Sequence, residues 1–549
     1  MLPGSTRPRD SADEQAGGNC AAGVNVIEDR DIVGDAIGSP AAALFCVVVL
    51  AVVWAAGAHA AEPLPDPVAA EMLPAAAVIP PAPDARAAPA CIDPYRADTY
   101  DGMMPDRAAA TIGVASCATG SCHGGPRAGN HDLQSFAATI WSEDDRHAHA
   151  YEVLHSERSR RMARLLGIGP AHRAQQCLAC HSMQDVSPQP LPQAVLADGV
   201  GCASCHGDSA RWQQLHTLAS WKTLSPEARE AVGYRDLATP AARARTCVRC
   251  HVGDERHEVD HDLIAAGHPR LFFEFAAYQR LEPRHWSPRD KAESAADFTE
   301  RSWAAGQATA LEAVGRLLAI RVERAAAAAA AGERQHWPEF AEFDCYSCHR
   351  TLGPDSGTAL RDPPLRSPHP GQPSWQPWYA AAARLTRAEL EGPAVTPGTA
   401  AATLERQAGD LRRLLAVDWP RADEERLRRV LLEARGLAES ARRVAAEIDS
   451  RPAVVLDGSP ATLDAVIAAD PPEWRTWDAA VQSYLALEAA RAGGPARLGV
   501  WRSCSLPAAR GEPGQSLDRL RESLRFPPDQ DSPGPFDPRD FHRARREVP

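Results

Sequence analysis

Hydrophobic residues recur mainly at helical spacing along this chain, and no stretch sustains the alternation of a β-strand. The longest example contains Leu311, Val314, Leu318 and Val322, followed by alanines through residue 331. Gly332 then provides a helix stop. The pattern predicts a mainly α protein with many loops.

Three more stretches with this spacing lie beyond residue 373. They are marked by Leu404, Leu411 and Leu415, by Leu427, Val430, Leu431, Ala434, Leu437, Ala441, Val444 and Ile448, and by Trp474, Trp477, Val481, Tyr484 and Leu485. Pro420 should end the first helix, and Asp423 should cap the second. We expect this C-terminal region to be a separate helical unit without a cofactor.

The N-terminal part carries export signals. Residues 41–58 form an uninterrupted apolar run, and Ala58-His59-Ala60 offers a small-x-small cleavage site. The preceding forty residues are long and acidic for a signal peptide, and eighteen apolar residues are about enough to span a bilayer. We expect a periplasmic protein with a cleaved signal peptide. The alternative is a membrane anchor.

Composition changes divide the chain into six segments. These are residues 1–60 as signal peptide or membrane anchor, 61–106 as a Pro/Ala-rich linker, 107–352 as the cysteine-rich domain, 353–373 as a second linker, 374–512 as the helical C-terminal region, and 513–549 as a tail rich in proline and charge. The net charge of −13 disfavours nucleic acid as a partner and favours cationic redox proteins.

Ten of the fourteen cysteines fall in five pairs, each followed directly by histidine. Four pairs have the form C-x-x-C-H: Cys177, Cys180 and His181; Cys202, Cys205 and His206; Cys247, Cys250 and His251; and Cys345, Cys348 and His349. Two thiols at this spacing can reach the two vinyl groups of one haem, and the histidine can then bind the iron. The motifs predict covalent haem c with five proximal histidines. Zinc ligands and redox dithiols are the alternatives.

The first pair departs from this form because four residues separate Cys117 from Cys122 before His123. Gly120 makes the wider loop flexible, so both sulfurs can still reach one haem. A local disulfide with an uninvolved histidine is the alternative. No C-x-x-C-K sequence occurs, which removes the lysine-ligated catalytic haem of one class of nitrite reductase.

Methionine is rare, so histidine is the expected second axial ligand of most haems. The candidates are His147, His216, His261 and His268. Weaker candidates, for which a surface position is the better prediction, are His131, His155, His172, His257 and His285.

Several blocks between residues 111 and 350 resemble the multihaem cytochromes related to cytochrome c-554. These are Trp141…Asp145-Arg-His147-Ala, Gly199-Val-Gly-Cys-Ala-Ser-Cys-His206-Gly, His261-Asp-Leu-Ile-Ala-Ala-Gly-His268-Pro-Arg-Leu and Trp337-Pro-Glu-Phe…Cys345-Tyr-Ser-Cys-His349. The resemblance implies an α-helical domain packed around haems that stack in pairs and are mostly ligated by two histidines. Cytochromes of the c-554 type have four haems, whereas this chain offers five sites.

The sequence therefore predicts an electron relay that carries about five haems and serves redox proteins or a membrane complex. A multihaem oxidoreductase acting on a small nitrogen or sulfur compound at a five-coordinate iron is the alternative. The C-terminal helices could also serve to dock the cytochrome to a partner complex.

Overall fold

The computed structural model describes residues 112–127, 132–187, 189–287, 298–333, 337–345, 373–391, 397–416, 423–450, 476–492, 514–524, 536 and 538–546. The apolar run 41–58, the linker 61–106 and nearly all of 353–373 lie outside these residues, as do Cys348, His349 and His131. Within the described part no helix is long and apolar enough to cross a membrane.

The fold is mainly α, as predicted, and the described residues contain no strand beyond an isolated bridge between Phe343 and Trp375. The α-helices are α1 (Ala137–Asp144), α2 (Glu157–Leu166), α3 (Gln175–His181), α4 (Gln193–Leu196), α5 (Cys202–His206), α6 (Ser209–Trp212), α7 (Pro226–Ala231), α8 (Pro240–His251), α9 (His261–Ala266), α10 (Phe275–Leu281), α11 (Phe298–Ala331), α12 (Pro377–Ala380), α13 (Ala382–Glu391), α14 (Ala400–Ala416), α15 (Glu424–Ser450), α16 (Trp477–Ala492), α17 (Gly514–Glu522) and α18 (Pro538–Arg546). Short 3₁₀ turns cover Val114–Ser116, Leu133–Phe136, Arg146–His149, Glu152–His155, Ala171–Arg173, Gln184–Val186, Leu215–Thr217, Ala219–Thr223 and Phe340–Glu342.

Helix α11 is the centre of the larger hydrophobic core. Its small and apolar residues are buried on nearly every face, because α8, α10, α13, α15 and α16 all pack against it. Gly315 lets α15 approach closely, since a Cβ at this position would lie 2.8 Å from the carbonyl oxygen of Ala434. The predicted helix end is confirmed: α11 stops at Ala331, and Gly332 follows with φ of 70°.

The helices beyond residue 373 share this core with the cysteine-rich domain. One continuous set of buried side chains joins Val248 of α8, Leu311 of α11 and Leu437 of α15. The expectation of a separate C-terminal unit is therefore wrong for the described helices, because the apolar face of α15 is covered by α11 and α14. The segment boundaries given above stay predictions.

Polar contacts also tie the C-terminal helices to the cysteine-rich domain. The backbone N–H of Ala241, at the start of α8, donates to Asp449 Oδ1 over 3.1 Å. Arg270 Nη1 lies 2.8 Å from Asp478 Oδ2 in a buried ion pair with α16. Trp378 Nε1 donates to the carbonyl of Phe273 over 2.9 Å. These contacts fix α8 and the segment that follows α9.

The C-terminal tail contains helices that the sequence pattern did not predict. Helix α17 packs near α16, and α18 packs on both of them. Leu520 and Phe541 are fully buried in the larger core. The smaller core lies under the first two C-x-x-C-H segments and contains Tyr151, Leu178 and Met183.

Candidate functional site

Three of the cysteine motifs are built in the same way. Each of α3, α5 and α8 ends at the histidine of its motif, so both cysteines and the histidine lie on the last helical turns. Residues three and four apart share a helix face, so this spacing presents two thiols and one imidazole to the same side. All the described motif cysteines are free thiols.

The first motif forms a tight loop in place of a helix. The N–H of Cys122 donates to the carbonyl of Thr119 over 2.9 Å, and the N–H of Gly124 donates to the same carbonyl over 3.0 Å. A Cβ at Gly124 would lie only 2.0 Å from the carbonyl oxygen of Ala118, so only glycine fits this turn. Cys117 and Cys122 are not joined in a disulfide. The N–H of His123 donates to the carbonyl of Cys117 over 3.2 Å, so the loop returns to its first cysteine.

Every described motif histidine faces a second histidine from elsewhere in the chain. The distances between ring centroids are 6.2 Å for His123 and His216, 6.5 Å for His181 and His268, 6.2 Å for His206 and His285, and 6.2 Å for His251 and His147. Their ring planes meet at 18°, 85°, 63° and 74° respectively. The near constancy of the distance indicates a common spacer between the rings.

An iron bound by two imidazoles accounts for this distance. Metal–nitrogen bonds of about 2 Å on either side of the metal put the centroids of the two rings roughly 6 Å apart. Direct stacking is closer, as in the pair His155 and His172, whose centroids lie 4.4 Å apart. The four motif pairs therefore fit the axial ligands of a haem.

Nδ1 is hydrogen-bonded in five of these eight rings, which leaves Nε2 as the nitrogen that can bind a metal. Nδ1 of His123 donates to the Gln134 carbonyl over 2.7 Å, and Nδ1 of His181 donates to the Ala150 carbonyl over 2.9 Å. The distal rings show the same arrangement: the acceptors are the carbonyl of Gln213 for His216, the carbonyl of Pro269 for His268 and the carboxylate of Asp145 for His147. Such bonds select the tautomer that binds metal through Nε2.

Burial sets the protonation of these groups. It lowers the pKa of His251 to about 4, and it also lowers the pKa of His181 and of His268. These rings are neutral at pH 7, which is the form that binds iron. His147 differs, because its ion pair with Asp145 outweighs burial and raises its pKa. Burial raises the pKa of the Cys205 thiol to about 12.

Thiols of different motifs lie side by side. The Cys117 thiol interacts with that of Cys202, which lowers the pKa of Cys117 to about 6, and the Cys180 thiol interacts with that of Cys250. The first motif is thus adjacent to the third, and the second is adjacent to the fourth.

Two histidines correct the predictions from sequence. His285, expected at the surface, is half-buried opposite His206. Its place in Arg284-His285-Trp286 gave no signal, because tertiary folding alone brings it to α5. His257, also expected at the surface, is fully buried, and its Nδ1 lies 2.6 Å from Asp254 Oδ1. Although burial disfavours its cation, hydrogen bonds to Asp185 and Asp254 raise the pKa of His257 to about 11.

Of the remaining predicted haem-binding residues, the structure describes only His261 and Cys345. His261 starts α9, and its backbone N–H donates to Glu339 Oε1 over 2.8 Å. Cys345 is half-buried near Arg270 and Asp478. The rest of the fifth motif, Cys348 and His349, lies outside the described residues. Among those that are described, no three His, Cys, Asp or Glu side chains converge as a metal-ion cluster.

Comparison with known families agrees with this geometry. Residues 116–207 match the family model of cytochrome c554 and c-prime. The matched segment contains the first three cysteine motifs and His147, so the resemblance predicted from sequence is confirmed there. Cytochromes c carry covalently bound haem and its iron, and they exchange electrons with redox proteins. Neither the curated proteins nor the solved structures that were compared gave a match.

Proposed function

We propose that this protein is a periplasmic multihaem c-type cytochrome that relays electrons between redox partners through about five haems. The observation that carries this proposal is the set of four histidine pairs with ring centroids 6.2 to 6.5 Å apart. Each pair contains the histidine of one cysteine motif.

The cysteines of each motif would hold one haem through thioether bonds. The thioether residues are Cys117 and Cys122, Cys177 and Cys180, Cys202 and Cys205, Cys247 and Cys250, and Cys345 and Cys348. The axial pairs are His123 with His216, His181 with His268, His206 with His285, and His251 with His147. Bound haem supplies a one-electron ferric/ferrous couple.

His261 is the distal candidate for the fifth site with His349. Glu339 Oε1 accepts hydrogen bonds from the N–H groups of both His261 and Ala341, which ties the start of α9 to the segment leading into Cys345. The ring of Phe340 contacts that of His261, with centroids 5.6 Å apart. His261 is thereby held beside Glu339 and Phe340, in the segment that leads into Cys345.

The first motif is proposed to bind haem despite its wider spacing. The His123–His216 pair matches the other pairs in ring distance, and both of its rings donate from Nδ1 to backbone carbonyls, as those of His181 and His268 do. Only glycine fits directly after His123, where the loop closes against the carbonyl of Ala118. A disulfide between Cys117 and Cys122 would not explain why His216 faces His123.

Occupied axial positions favour electron transfer over catalysis. When two histidines bind one iron, no position remains for a substrate. His181 and His251 are half-buried among the surrounding side chains, which limits solvent reorganisation when the charge of the iron changes. The protein's own groups thus orient the ligands and limit their contact with water.

Spectroscopy of the oxidised holoprotein tests this proposal. The four described pairs predict low-spin iron, so at most one high-spin site, that of the fifth motif, is expected. Assays with hydroxylamine, nitrite and sulfite should give no sustained turnover. Turnover at ordinary enzymatic rates, on the order of one per second, would favour the oxidoreductase instead.

A further inference from the structure

A basic surface lies beside the second proposed haem site, that of His181 and His268, in this acidic protein. We define the arginine surface as α2 together with the turns Glu152–His155 and Ala171–Arg173, which pack against one another. It carries Arg158, Arg160, Arg161, Arg164 and Arg173, against Glu152 and Glu157 alone. The whole chain has a net charge of −13, so this concentration of positive charge runs against the overall balance.

The positive charge of this surface is only partly neutralised within the protein. Arg160 and Arg164 share one carboxylate, that of Glu157, at 3.3 Å each. Arg161 is exposed and has no ion-pair partner among the described residues. An excess of uncompensated arginines steers negatively charged molecules to this face.

Apolar side chains are exposed among these charges. Val153 is 50% exposed and Leu165 is 63% exposed, and they are two of the six large apolar side chains that are exposed in the described part. Arginine and apolar residues together are typical of protein interfaces. A solvated charged face would not need to expose Leu165.

The arginine surface is continuous with the backbone that holds the second histidine pair. The Ala150 carbonyl, which accepts from His181, lies just before the turn Glu152–His155. On the other side, Arg158 Nε donates to the Gly267 carbonyl over 2.7 Å, next to His268. Both imidazoles of this pair are therefore held by segments that belong to the surface or contact it.

We propose that the arginine surface docks an acidic redox protein, which exchanges one electron with the second haem site. This inference rests on the proposed function. One electron passes between the two proteins, so one is oxidised and the other reduced by a single equivalent, and no bond forms or breaks. Whole-chain charge favours a cationic partner, but local charge at the point of transfer decides the encounter.

The test uses the full-length holoprotein and reduced flavodoxin, an acidic one-electron donor, as the probe. The variant is Arg160→Glu with Arg161→Glu. The control is Arg428→Glu with Arg429→Glu, another adjacent exposed pair, on α15. Both variants change net charge equally, so only the position of the charge differs.

Stopped-flow rates of haem reduction are measured at low and high salt. We expect the surface variant to lower the low-salt rate about tenfold and the control to change it less than about twofold, with all rates converging at high salt. Equal effects of the two variants would overturn the docking proposal alone, since reduction itself would still occur. A protein without reducible haem would overturn the proposed function.

Binding to vesicles of phosphatidylserine separates a membrane from a protein partner. Vesicle binding that depends on Arg160 and Arg161, together with flavodoxin rates that do not, would assign the surface to anionic lipid and contradict the proposal. Rates that depend on these arginines, without vesicle binding, support an acidic protein as the occupant.

Discussion

At the residue scale, the sequence identifies only part of the proposed set of axial histidines. The motif histidines are fixed by the cysteines that precede them, so they could be assigned from spacing alone. Their partners come from distant segments, and only His147, His216 and His268 were predicted among those now paired. His285 could not be predicted, because nothing local distinguishes it from a surface histidine.

Replacing His285 by Ala should remove one axial ligand from the third haem site. The oxidised variant is expected to show one high-spin iron, or a substitute ligand, by electron paramagnetic resonance. His155→Ala is the matched control, since His155 is exposed and stacks on His172 outside the four pairs. An unchanged spectrum for His285→Ala would remove it from the ligand set.

The angle between the two imidazole planes should distinguish two of the proposed haem sites by electron paramagnetic resonance. The rings of His123 and His216 are nearly parallel at 18°, and those of His181 and His268 are nearly perpendicular at 85°. Two parallel rings donate into the same one of the two iron dπ orbitals, so these orbitals differ strongly in energy. Two perpendicular rings donate into one orbital each, so the two orbitals stay close in energy. We expect a rhombic low-spin signal that is lost in His216→Ala and a strongly anisotropic one that is lost in His268→Ala. Loss of the same signal in both variants would contradict these assignments.

At the element scale, the long helix α11 packs between the C-terminal helices and the helix of the fourth motif. One side of α11 packs on α8, which ends at His251, and another packs on α15. Helical spacing predicted the core residues of α11 and the helices α14 and α15, and Asp423 caps α15 as expected. Spacing does not say which face meets which neighbour, so the packing of α15 on α11 was not foreseen.

Gly315→Ala should destabilise this contact. The added Cβ would press on the backbone of α15 at Ala434, and overpacking of this kind costs about 1–3 kcal/mol. Gly409→Ala in α14 is the control, because its Cβ would meet only the movable end of Arg413 at 3.4 Å, and alanine favours a helix by up to about 1 kcal/mol. Denaturant unfolding of the holoproteins should show a lower free energy of unfolding for Gly315→Ala and a higher one for Gly409→Ala. A stabilised Gly315→Ala protein would show that the two helices are not in close contact.

At the scale of the whole molecule, the cysteine-rich domain and the C-terminal helices form one packed unit. They share the larger core, and the buried Arg270–Asp478 pair joins the segment after His268 to α16. Composition marked a linker at 353–373 and so suggested two units. A proline-rich connection in sequence does not exclude a shared core, because core formation depends on which apolar faces are left uncovered.

Truncation after residue 372 should therefore abolish stable haem incorporation. It would expose the apolar faces of α8 and α11 and remove Asp478, the ion-pair partner of Arg270. A chain ending at Arg546 is the control, since it keeps every described helix. Haem staining and visible spectra of the two products decide. A truncated protein with a normal haem spectrum would show that the cysteine-rich domain folds alone.

The number of covalently bound haems tests the central claim most directly. The protein is matured with a cytochrome c assembly system, and its intact mass is measured under denaturing conditions that release any haem not bound by thioether bonds. The predicted result is an increment of five haem masses. Four increments with Cys117 and Cys122 oxidised to a disulfide would refute the first site. The absence of any increment would contradict the account as a whole.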